Sequence, residues 1–270
     1  MAADFMYSIL GHTGLKAFRL GLSASYRPGK AAIRKAIDAG INYFFCYGFD
    51  TQMTGVLRDV GKSQRHDLVI STGAYNLIVG YPNLRRTLEK RLRQLGTDYI
   101  DVFLFLGVMK PKQFGHPELD EMRRFREEGK VRAIGISCHD RKFAGRLLAE
   151  GAIDVAMIRY NAAHRGAEED IFPHVAAHDS GLVSYTATRW SCLLRRPRGW
   201  PATAPIPTAD QCYRFVLSNP LVAVCLTAPS NEEHLQQNLA GLSKGPLSPE
   251  EMEFMRKFGD VVHGRYKYFM

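Results

Sequence analysis

The sequence predicts an α/β fold in which strands and helices alternate and close into a (β/α)8 barrel. Three observations carry this. Short apolar runs alternate with segments whose apolar residues recur at helical spacing, the grammar of a parallel sheet covered by helices. Eight such units fit in 270 residues, about the size of one closed barrel. No G-x-G-x-x-G follows a first strand, which counts against an open dinucleotide-binding sheet.

The elements follow in order. Residues 5–20 leave room for an N-terminal hairpin turning at Gly11-His12-Thr13-Gly14. Strands are predicted at 19–23, 41–46, 68–72, 100–106, 131–137, 154–160, 182–186 and 222–226. Helices are predicted at 29–38, 51–60, 83–95, 118–128, 141–150, 167–178, 208–217 and 231–242. In the third of these, Leu84, Leu88, Leu92 and Leu95 mark one apolar face. Gly129 and Gly151 stop two helices, and Asn219-Pro220 halts another. An extra C-terminal helix opens at Ser248-Pro249-Glu250-Glu251, with a capping serine, an early proline and first-turn acids. No linker or low-complexity stretch divides the chain, so residues 1–270 read as one domain.

Composition narrows the function. Hydrophobic residues make up 46% and charged residues 23%, enough for a full core. No apolar run reaches the roughly 18 residues of a membrane span. The N-terminus lacks the basic region and apolar stretch of a secretory signal. Five dispersed cysteines without a C-x-x-C pair predict reduced thiols and a cytoplasmic protein. The net charge is +9, but Lys and Arg are spread over helix faces and a Pro-containing loop. A solvated surface is expected, with no specific nucleic-acid partner, and a small molecule is the expected ligand.

In such a barrel the chemistry belongs at the C-terminal ends of the strands. That places Tyr47, Asp50, Tyr75, Asn76, His139, Asp140, Asn161, His164 and Arg189 in the search. His139 follows the fifth strand and reaches toward the mouth. Cys46 and Cys138 read as buried thiols. His139, Asp140 and His164 lack metal-ligand spacing, so no metal is expected.

Several motifs in order carry a family resemblance. Leu10-Gly11-His12-Thr13-Gly14-Leu15, Asp38-Ala39-Gly40-Ile41-Asn42-Tyr43-Phe44, Leu95-Gly96-Thr97-Asp98-Tyr99-Ile100-Asp101 and Gly129-Lys130-Val131-Arg132-Ala133-Ile134-Gly135-Ile136-Ser137 resemble those of the aldo-keto reductases. Tyr160-Asn161, Ile171-Phe172-Pro173 and Gly181-Leu182 follow in the expected order. The resemblance implies a TIM barrel and hydride transfer between NADP(H) and a carbonyl or alcohol. It also implies four catalytic residues: an aspartate after the second strand, a tyrosine beyond it, a lysine ending the third strand and a histidine ending the fourth. Here those positions hold Phe45, Asp50, Gly73 and Leu106. The catalytic candidates that remain are Asp50, Tyr47 and His139.

The cofactor positions survive in part. The resemblance assigns Ser137 to the nicotinamide carboxamide, Tyr185 to the ring, and Asn161, Thr186 and Arg189 to the surroundings of the nicotinamide and pyrophosphate. It assigns Glu233 and Asn238 to the adenine. Cys138 and Met157 replace polar partners, and His234 stands where an arginine often meets the 2′-phosphate. Two readings follow. One is an NAD(P)(H)-dependent oxidoreductase with an altered catalytic set. The other is a barrel without redox activity: an inactive relative, a small-molecule binder, or a lyase or isomerase.

Overall fold

The computed structural model describes residues 5–47, 49–75 and 83–265. Strands β1 (Tyr7–Ile9) and β2 (Lys16–Phe18) form an antiparallel hairpin. Eight parallel strands then close a barrel: β3 (Leu20–Ser23), β4 (Tyr43–Phe45), β5 (Val69–Tyr75), β6 (Ile100–Val108), β7 (Val131–Cys138), β8 (Val155–Arg159), β9 (Gly181–Tyr185) and β10 (Val224–Thr227). They pair in sequence order, and β10 returns to β3. The helices between them are α1 (Lys30–Asp38), α2 (Gln52–Gln64), α3 (Leu84–Leu95), α4 (His116–Glu127), α5 (Arg141–Ala149), α6 (Ala167–Asp170), α7 (Phe172–His178), α8 (Ala209–Leu217) and α9 (Glu232–Leu242). α10 (Pro249–Arg265) ends the described chain.

Side chains cap several helix starts, the predicted Ser248 among them. Asn83 and Asn231 accept the Arg86 and His234 amides at the starts of α3 and α9. Ser248 Oγ accepts the Glu251 amide, and Glu251 returns a carboxylate oxygen to the Ser248 amide. One element departs from the prediction. The single helix expected over 167–178 is two, α6 and α7, because Pro173 has no amide to offer and its ring opposes the Glu169 carbonyl of a continuous helix. β5 and β6 run further toward the mouth than their apolar patterns end, to Tyr75 and Val108.

The barrel interior is packed side chain on side chain. Tyr43, Val69, Val102, Leu104, Val155 and Val183 fill it, and Leu10, Leu15 and Ala17 of the hairpin plug its lower end. The hairpin turn needs glycine twice over at Gly11. Its φ is +53°, and a Cβ would overlap the Asp179 carbonyl oxygen. The helices pack outside against a second, larger apolar layer. The lower end is therefore closed, and the upper end is left for ligands. Among the described residues no helix is long and apolar enough to cross a membrane.

Candidate active site

A cavity of about 810 Å³ opens at the C-terminal ends of the strands. Strand alternation builds its floor: Phe45, Leu106, Met157 and Leu226 are inward-facing residues of β4, β6, β8 and β10, and all four line it. Its upper wall is hydroxyl-rich. Tyr47 shares a 2.6 Å hydrogen bond with Ser25 and lies 3.4 Å from the Ser23 hydroxyl. The Tyr47 ring meets Phe45 edge-on at 5.1 Å, stacks on Phe49 at 5.3 Å and lies 6.0 Å from Tyr75. Burial holds the Tyr75 phenol well above its ordinary value, and the neighbouring Tyr47 adds to this.

Ser137, His139 and Tyr185 form the opposite wall. The rings of His139 and Tyr185 meet edge-on at 6.3 Å. Burial pushes the Tyr185 phenol up to about 12, against the nearby Arg159 charge. Burial, and then Arg159, lowers His139, which favours the neutral imidazole. From there the cavity continues past Thr186 and Trp190 to the start of α9, where Ser230, His234 and Asn238 line it. Asn238 donates to Thr227 Oγ1 at 3.0 Å, so its carboxamide is fixed in place. Ser230 and His234 share a hydrogen bond at 2.9 Å.

Other candidates are placed elsewhere. Asp50 turns away from the cavity, and its carboxylate accepts the Met53 and Thr54 amides at the start of α2. It stands one residue ahead of the N-cap Thr51 and satisfies two amides that the first turn leaves free. Asn161 is fully buried and braces two loops, donating to Thr186 O at 2.9 Å and accepting from the Ala163 amide. Arg189 is buried too, and donates to Val262 O in α10. Glu233 faces solvent and accepts from Gln237. None of these four lines the cavity, whereas Thr186 does. Asn76 lies outside the described residues.

At Gly73, where the resemblance implies a lysine, the backbone leaves no room for a side chain. This glycine pairs with Leu104 across β5 and β6, and a Cβ there would overlap the Leu104 carbonyl oxygen. Phe45 and Leu106, both nearly fully buried, fill the space around it with hydrocarbon. Cys138 donates to Asp140 O at 3.1 Å, and burial lifts its thiol to about 12, which disfavours the thiolate that a nucleophile needs. Among the described residues no cluster of His, Cys, Asp or Glu is arranged for a metal.

Sequence reasoning missed Arg159, the last residue of β8. The signal was available: Val155 and Met157 face inward, so period-two alternation brings Arg159 out on the same face, at the mouth.

Comparison with known proteins agrees with the fold. Residues 14–198 match the model of the aldo/keto reductase family. An uncharacterized oxidoreductase of Bacillus subtilis, YqkF, is 21% identical over 92% of both chains. A morphine 6-dehydrogenase of Pseudomonas putida is 28% identical over 46% of this chain and 44% of its own. An aldo-keto reductase of Bacillus halodurans in its holo form superposes with a TM-score of 0.78, at 19% identity, covering 94% of this chain and 96% of that one. An aldo/keto reductase of Klebsiella pneumoniae, solved with NADP and acetate, superposes with a TM-score of 0.74 at 22% identity, covering 94% and 95%. The chain belongs to the aldo/keto reductase family.

Proposed function

We propose that this barrel binds NADP(H) along the cavity and transfers hydride between it and a carbonyl or alcohol compound, with Tyr47 as the proton-bearing group. The observation that carries this reading is the continuity of the cavity, from Ser137 and Tyr185 over the barrel to Ser230, His234 and Asn238 at the start of α9. The Tyr185 ring offers a flat wall to a heterocycle, and Ser137 offers a hydroxyl to its amide. The first turn of α9 offers backbone N–H groups to a phosphate, with His234 beside it. The Klebsiella relative's NADP complex is consistent with such a ligand. When bound, the nucleotide supplies the hydride.

The rest falls to this chain's own residues. Of the three catalytic candidates, Asp50 is committed to α2, and burial and then Arg159 disfavour a protonated His139. Tyr47 faces the cavity, and Ser25 fixes its hydroxyl. It would protonate the alkoxide as hydride arrives. No Lys or Arg is among the described residues lining the cavity. An unsupported phenol is a weak acid, so turnover should be slow. That same absence favours the second reading, a nucleotide-binding barrel without catalysis.

Titration with NADPH and NADH separates the readings, followed by single-turnover oxidation of bound NADPH with an aldehyde. Binding with slow, Tyr47-dependent turnover supports the proposal. Tight binding without turnover favours the inactive relative, and no binding of either nucleotide sinks both readings.

A further inference from the structure

Hydride transfer leaves one imidazole of the cavity without a task. His139 lines the cavity just beyond β7, and its Nδ1 is buried with no hydrogen-bond partner among the described residues. An unpaired buried polar atom costs free energy, so it calls for a role other than structural bonding. The ring is held in place all the same. It meets Tyr185 edge-on at 6.3 Å, and the His139 amide donates to Val108 O at 2.8 Å. With no partner at Nδ1 to fix the tautomer, the ring can take up a proton and give it back.

The composition of the cavity narrows what can move a proton there. Among the described residues lining it there is no Asp, Glu, Lys or Arg, and two are histidines. His234 shares its Nδ1 with Ser230 in the first turn of α9. Burial, and then Arg159, holds His139 below the ordinary imidazole value, so near neutral pH its ring is a base rather than an acid. The acid is across the barrel. Tyr47 follows β4 and His139 follows β7, three strands further round the closed ring. Between their walls lie Phe45 and Leu106, nearly fully buried hydrocarbon. A proton acceptor facing a proton donor over an apolar floor suits the transfer of a proton within one bound molecule.

We propose that this site has a second, redox-neutral activity, proton exchange at the carbon beside the carbonyl of an α-hydroxy ketone or aldehyde, with His139 as base and Tyr47 as acid. In the forward step the C–H bond next to the carbonyl breaks, and its proton passes to the imidazole. The electron pair becomes a carbon–carbon double bond, and the carbonyl oxygen takes the Tyr47 proton, which gives an enediol. In the return step the imidazolium delivers its proton to either carbon, and Tyr47 recovers its own from an enediol hydroxyl. No electrons leave the molecule, so no oxidant or reductant is needed. The activity goes beyond hydride transfer and shares only Tyr47 with it.

The test incubates (R)-3-hydroxybutan-2-one in D2O at neutral pH with the full chain and no added nucleotide. Proton NMR follows deuterium entering C3, and polarimetry follows the loss of rotation, because the enediol has no stereocentre. Wild type should carry out both roughly 100-fold faster than folded H139Q, the scale of a lost general base, and Y47F should lose a comparable factor. Wild-type exchange no faster than buffer overturns the proposal, and that comparison holds even if the variants fail to fold. Exchange that persists in folded H139Q overturns it too. NADPH binding, and its oxidation by the same compound, are measured in parallel. Reduction without exchange removes this inference and leaves the hydride reading standing, whereas exchange without nucleotide binding does the reverse.

Discussion

In the proposed hydride transfer, Tyr47 would bring the proton and Gly73 denies a supporting cation its place. Tyr47 has a hydroxyl fixed by Ser25 and faces the cavity, while Gly73 marks where a supporting cation has no room. Tyr47→Phe should therefore lower any NADPH-linked carbonyl reduction roughly 100-fold or more, the scale of a lost general acid, and leave nucleotide affinity intact. Single-turnover rates beside a binding titration give both numbers, and an unchanged rate removes Tyr47 from the mechanism. Gly73→Ala should cost about 3 kcal/mol by overpacking, because its methyl group meets backbone rather than a side chain that can swing away. A urea midpoint equal to wild type would show that β5 and β6 separate easily there. The resemblance aligns Gly73 and Leu106 within well-matched strands, whereas the loop that carries Asp50 offers no such register. It did not show that Asp50 would be spent on α2. That depends on which way a short loop turns, and two free amides at a helix start won over the cavity.

Elements rather than single residues hold the 186–191 loop. Asn161 ties the segment after β8 to Thr186, and Arg189 reaches from the next loop to the Val262 carbonyl in α10. α10 can lie this close because Gly259 faces the Ala162 carbonyl, where a Cβ would overlap the oxygen. Trp200 closes the packing, with its ring 4.9 Å from Phe258. Gly259→Val should push α10 outward, loosen the 186–191 loop and weaken NADP(H) binding several-fold while the barrel remains folded by circular dichroism. Wild-type affinity in a folded variant would show that α10 does not support the loop. Here the sequence was legible in part. Apolar spacing and caps located the helices, and strand order followed from alternation. The braces did not appear, because Asn161 and Arg189 read equally well as ligand contacts or as structural ties until their partners are known. Pro173 was also in plain view, and its effect on the helix over 167–178 follows from its missing amide alone.

Across the whole molecule, the two ends of the barrel respond to pH with opposite signs. At the lower end, both ring nitrogens of His12 face acceptors, Asp179 O at 2.9 Å and Asp154 Oδ1 at 3.2 Å. Burial alone would lower this imidazole, but the Asp154 bond and charge and the Asp179 and His178 carbonyls outweigh it and raise its pKa. Its contribution is present below the unfolded value of about 6.5 and is lost as pH rises through the folded value. At the mouth, His164 is pushed down to about 3, by burial first and then by Arg159, Arg189, His263 and Arg141. There the unfolded chain binds a proton that the folded chain refuses, so stability falls as pH drops from about 6.5 toward 3. Asn161, which shares a hydrogen bond with the His164 ring at 3.3 Å, carries no charge to offset this. The urea midpoint should therefore decline on both sides of a maximum near neutrality. His164→Asn should flatten the acid side between pH 7 and 5, and His12→Gln should flatten the alkaline side. If His164→Asn declines with acid as steeply as wild type, the buried His164 is not the source of acid sensitivity.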